Sequence, residues 1–83
     1  MSISNRAELE TKVLQFISLK VNRPVEELPL EASFQSLGME SMYVLDLFFA
    51  LEDEFNLSIE DEDARKLNSL QELIAFLGRE LKL

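Results

Sequence analysis

The chain contains no cysteine, no histidine and no tryptophan, and only two glycines and two prolines in 83 residues. Without cysteine the polypeptide has no disulfide staple, no thiolate metal ligand and no thiol nucleophile. Without histidine it also lacks the commonest general base and the commonest zinc ligand. These absences argue against a self-sufficient hydrolase, a zinc enzyme and a redox protein. No unbroken apolar run exceeds that from Leu47 to Leu51, far short of the ~20 residues a membrane span requires. The stretch from Met1 to Arg6 lacks the apolar core of a secretory signal. A cytoplasmic location without a membrane span is the resulting expectation.

Positive charge is missing from the middle of the chain. No Lys or Arg occurs from Pro24 to Ala64, where twelve Asp and Glu residues fall, while each flank sums to +2 and the net charge is −8. Nucleic acid is a poor partner for such a surface, because binding it requires cations that displace counterions. A basic protein surface is a good partner, since complementary fields speed encounter and set orientation. The plainer account of the same composition is an acidic face that keeps a small protein soluble.

What is present is helical. Residues 1–83 make one small domain, with a radius of gyration of about 12 Å if compact. Leu9, Val13, Phe16, Ile17 and Val21 form one apolar helix face, started by the Asn5–Glu8 capping-box spacing and ended by Pro24. From Val25 to Glu40 the prolines, Gly38 and lack of periodicity predict a long ordered loop. Val25, Leu28, Leu30, Phe34 and Leu37 are spaced to pin it to the core. A second helix is predicted over Ser41–Phe55, with Leu45, Leu47, Phe48, Leu51 and Phe55 inward. A short third follows around Glu60–Lys66, with Ser58 and Asp61 as start signals. A fourth begins near Asn68–Ser69, with Ser69 and Glu72 at capping-box spacing and Leu70, Leu73, Ile74, Phe76, Leu77 and Leu81 inward. No strand alternation, repeat or low-complexity tract is visible. The fold class is all-α, a four-helix bundle with a long first loop and a short third helix.

The segment from Phe34 to Met42 concentrates the functional signal. It anchors a loop with Phe34 and Leu37, turns at Gly38, and brings Ser41 to the start of the second helix. Unpaired backbone N–H groups and the positive end of the helix dipole favour an attached anion there. A serine in that position is also commonly an N-cap, a role worth about 1 kcal/mol that can coexist with attachment. The surroundings extend the signal over about fifty residues. Phe34, Leu37, Gly38, Ser41, Leu51, Glu52, Glu54, Phe55, Ile59 and Ala64 fall where the acyl carrier protein family has its matching residues. The chain resembles that family. The resemblance implies a four-helix carrier-protein bundle and a 4′-phosphopantetheine arm on Ser41. It also implies modification from coenzyme A by a phosphopantetheinyl transferase, and a carrier role without a catalytic site of its own. Two residues depart from the pattern, Glu40 where Asp is usual and Met42 where Leu is usual.

The resemblance also makes the second helix the face read by partner enzymes. Glu40, Met42, Tyr43, Asp46, Phe49, Glu52 and Asp53 are the candidate partner-binding residues, with basic surfaces of acyl-processing enzymes as their complement. Steps of three and four place Asp46, Phe49 and Asp53 on one side of the helix. Against this stand solvation for the acids and core packing for Phe49. The acids from Glu60 to Asp63 lack the spacing and central glycine of an EF-hand, so a solvated helix start is favoured over a Ca²⁺ or Mg²⁺ site.

The implied function is a freestanding, monomeric carrier of acyl thioesters for fatty-acid, lipid or polyketide synthesis. An aminoacyl or peptidyl carrier would use the same arm. Strong acidity and the absence of a histidine before the serine favour the acyl class. An unmodified acidic helical adaptor is the distant alternative. The resemblance places the cargo between the second and third helices, where Phe48, Phe49, Phe55 and Ile59 are expected. Bulky rings there predict a shallow pocket for short or polar cargo, or one opened by ring rotation.

Overall fold

The computed structural model describes residues 3–83. Met1 and Ser2, part of the expected 1–83 domain and of the stretch inspected for a signal, lie outside the described residues. The first helix, α1, spans Arg6–Val21. The Glu8 backbone N–H donates to the Asn5 side-chain oxygen at 2.9 Å, and the Glu8 carboxylate accepts from the Ser4 N–H at 2.9 Å. Local spacing thus starts the helix as expected. Its end differs from expectation. Asn22 takes the left-handed conformation (φ 57°), and the Asn22 and Arg23 N–H groups both donate to the Ser18 carbonyl. The helix has therefore closed before the restriction that Pro24 imposes on Arg23 applies.

The loop to α2 (Ser41–Phe55) contains two single 3-10 turns, Val25–Glu27 and Gln35–Leu37. Leu28, Phe34, Leu37 and Met39 are buried, while Val25 and Leu30 are half-buried. Met39 is a core residue that periodicity did not reveal. The loop is also tied to the start of α4 (Leu70–Glu80) by backbone bonds: Phe34 N–H donates to Asn68 O and Gln71 N–H to Leu30 O, each at 2.9 Å. Ser33 and Ser69 form an isolated antiparallel bridge at the same place. Hydrogen-bonding its polar backbone groups lets this long segment lie against the core.

Helix α2 closes on Asn56, again left-handed, whose N–H donates to the Glu52 carbonyl. Short α3 spans Asp61–Lys66, with Glu60 as its N-cap and no side-chain capping bond. Ser58 is not the start signal it was expected to be. The Glu52 carboxylate accepts from the Ile59 N–H at 2.7 Å, which holds the chain out of the helix past Ser58. The α4 cap follows the spacing. Glu72 N–H donates to Ser69 Oγ at 3.2 Å, and the Glu72 carboxylate takes the Asn68 N–H at 2.9 Å.

The core joins Leu9, Val13 and Ile17 of α1 to Leu70, Leu73 and Leu77 of α4, with Leu47, Leu51 and Phe55 of α2 completing it. Phe16, Val21 and Leu81 are half-buried at its edge. Four helices and no strand occur among the described residues, and the radius of gyration is 11.7 Å. No helix among them is long and apolar enough to cross a membrane.

Candidate functional site

The chain reaches Ser41 through a sequence of local constraints. Phe34 is buried, its ring edge-on to Phe48 with centroids 5.9 Å apart. The Met39 N–H donates to the Phe34 carbonyl at 3.0 Å, closing a tight turn around Gly38. Gly38 sits at φ 82°, and a Cβ there would meet nothing within 4 Å. The demand for glycine is therefore conformational rather than steric crowding, since the left-handed region costs other residues about 1–2 kcal/mol. Buried Met39 then orients the chain, and Glu40 is extended (φ −77°, ψ 164°) before α2 begins.

Glu40, not Ser41, is the N-cap of α2. Its carbonyl accepts the first intrahelical bond, from Val44 N–H at 2.9 Å. Ser41 already lies at the first helical position, and its hydroxyl makes no capping bond to the N–H groups of that turn. The expected dual role of Ser41 is corrected accordingly. The Glu40 side chain makes no capping bond either. Asp is a good cap, and the additional methylene of Glu spoils the short reach that capping needs. The N–H groups of Ser41, Met42 and Tyr43 thus point outward without an intrahelical acceptor. Replacing Glu40 by Asp is expected to stabilise the fold by about 0.5–1 kcal/mol, read as an upward shift of the urea midpoint. No shift would mean that solvent satisfies these N–H groups equally well.

Exposed Ser41 stands at a groove of about 640 Å³ between α2, α3 and the first loop. Phe34, Met39, Val44, Phe48, Ala64 and Leu67 give it apolar walls, and Leu45 lies at its rim. Leu45 is 46% exposed, a correction to its expected place in the core. Phe48 lines the groove as expected, but Phe55 and Ile59 do not: Phe55 is buried in the core and Ile59 half-buried against it. Phe49 does not line it. It is 63% exposed and does not pack in the core, because one step of about 100° along the helix separates it from Phe48.

The candidate partner residues divide into two groups. Glu40, Met42 (78% exposed), Asp46, Phe49 and Asp53 are open to solvent, and the last three share a helix face as expected. Exposed Tyr43 and half-buried Glu52 instead bond the protein's own backbone. The Tyr43 hydroxyl donates to the Lys20 backbone carbonyl and ties α2 to the end of α1. Half-buried Glu52 holds the Ile59 N–H. Among the described residues no group of three or more acids is placed to hold a metal ion. The one ion pair there, Lys66–Glu62 at 3.9 Å, is highly exposed and contributes little.

This arrangement fits a phosphodiester on Ser41. The hydroxyl is exposed and has no intramolecular hydrogen bond among the described residues, three backbone N–H groups lie at the helix start, and an apolar groove opens beside it. A family model described as "Phosphopantetheine attachment site" matches residues 11–77. The acyl carrier protein of Buchnera aphidicola subsp. Schizaphis graminum is 37% identical over 75 residues, covering 89% of this chain and 95% of the relative. That of an Exiguobacterium species is 32% identical over 77 residues, covering 92% and 98%. That of Nitratidesulfovibrio vulgaris is 36% identical over 70 residues, covering 83% and 92%. With four helices in the expected order and a family match spanning most of its length, the chain belongs to the acyl carrier proteins, a phosphopantetheine-binding family.

Proposed function

We propose that this protein holds acyl groups as thioesters on a 4′-phosphopantetheine arm attached to Ser41, in the cytoplasm, and presents them to enzymes of fatty-acid, lipid or polyketide synthesis. The observation that carries this reading is the exposed, unbonded Ser41 hydroxyl at the mouth of an apolar groove. An unactivated hydroxyl needs a base to become nucleophilic, and the chain has no histidine to supply one. Activation therefore belongs to the transferase. The bound arm supplies a terminal thiol, which the polypeptide lacks, and the polypeptide supplies address and shelter. Tethering keeps the cargo at high effective concentration near each partner's site.

The test is intact mass after incubation with coenzyme A and a broad-specificity phosphopantetheinyl transferase. One added phosphopantetheine, located by fragmentation to the Ser41 peptide, is expected. An unchanged mass would favour the unmodified adaptor instead.

Asp46 and Asp53 are the steering charges of this reading. Both are exposed, and neither forms an ion pair among the described residues. Reversing both to Lys is expected to slow association with the transferase roughly tenfold, chiefly in the on-rate, with the difference shrinking at high salt. Rates indifferent to charge and salt would mean that exposed Phe49 and Met42 dominate recognition.

A further inference from the structure

The groove beside Ser41 is not lined as a slot for a plain alkyl chain would be. Over its apolar surface it carries Arg65 and Asp61 of α3, Asn68 just beyond, and Gln35 from the first loop. Arg65 is the first basic residue after Arg23 and the only one on the groove. It lies one turn from Asp61, yet Lys66–Glu62 is the only ion pair among the described residues. Neither Arg65 nor Gln35 uses its side chain in a hydrogen bond there, and Asn68 makes only a long one, at 3.4 Å to the Lys66 carbonyl. Open donors and an acceptor therefore sit over apolar walls.

An alkyl chain lying against these exposed groups would displace part of their water and return no hydrogen bond. A carboxylate would suit Arg65 but would meet Asp61 in the same groove and the surplus acid of the middle segment. A neutral chain bearing keto or hydroxyl oxygens satisfies the donors without that repulsion. We propose that the groove receives neutral, oxygen-bearing acyl chains and that Arg65 is the residue that selects them. The proposal rests on Ser41 as the attachment point and deepens that reading by naming the class of cargo.

Three acyl arms of similar length distinguish the possibilities: hexanoyl, 5-oxohexanoyl and glutaryl, each transferred from its coenzyme A ester and verified by intact mass. The readouts are thioester half-life and amide exchange at Ala64, Arg65 and Asn68. In the unmutated chain, 5-oxohexanoyl is expected to outlast the other two and to slow exchange by roughly threefold, modest because Arg65 is exposed. Arg65→Met keeps an unbranched stem, removes the donors and should erase the preference. Being at an exposed position, it leaves the core intact. Equal or greater protection by hexanoyl, strongest protection by glutaryl, or a preference that survives Arg65→Met each overturns the assignment. A chain that accepts no arm fails at the mass measurement and overturns the functional reading as well. Loading without preference overturns only the cargo.

Discussion

Ser41→Ala is expected to abolish phosphopantetheine attachment completely while leaving the fold and its stability almost untouched. The two halves of this outcome have separate causes. Attachment requires the hydroxyl oxygen, and no cysteine is present to substitute for it. Stability requires little from the side chain, because Ser41 follows the cap and makes no hydrogen bond with the described residues. Alanine is at least as good a helix former as serine, so the change should lie within about 0.5 kcal/mol in either direction. The measurements are intact mass after transferase treatment and a urea titration of the variant. A modified Ser41→Ala chain would transfer the site elsewhere. A loss above ~1 kcal/mol would restore the capping role that the Glu40 geometry denies.

Phe34→Ala should have the largest effect on stability. The ring is buried, packs edge-on against Phe48, and anchors the loop that ends at Ser41. Truncating a buried Phe typically costs about 3–5 kcal/mol, against a total of about 5–15 kcal/mol for a domain of ordinary stability. Much of the stability would go, and the segment from Gln35 to Glu40 would lose its apolar anchor. Transferase loading should slow even where the helices persist. Phe34→Leu, which keeps most of the volume, should cost below about 1.5 kcal/mol. A loss of under ~1 kcal/mol in the alanine variant would mean that the loop contributes little to the core and that Ser41 is positioned by α2 alone.

The signals legible in the sequence were short-range ones. Asn5 with Glu8 and Ser69 with Glu72 each lie within one turn, and each cap formed as its spacing required. Helical stripes on α1 and α4 were similarly clear. Left-handed Asn22 and Asn56 end helices without the more familiar glycine, and asparagine's tolerance of that conformation was the available signal. Misreadings arose where remote contacts decide. Leu45 sits at the groove rim because α3 leaves that side open. Ser58 yields to the Glu52–Ile59 bond, seven residues apart. The Tyr43–Lys20 bond spans a still greater separation.

By itself the sequence determined the four helices, the serine offered at the start of the second, the acid surplus of the middle segment, and the lack of any cysteine or histidine chemistry. These are properties of composition and of residues within a turn or two of one another, where hydrogen-bond reach and the 3.6-residue period act directly. Only the tertiary structure decided which of two adjacent phenylalanines faces the groove side, which acids are free and which hold the backbone, and which polar groups stand open beside Ser41. Those outcomes depend on segments far apart in the chain meeting in one place, as residues 33–39, 41–48 and 61–68 do around the groove. Their packing follows from burying the core as a whole, so no local pattern encodes it.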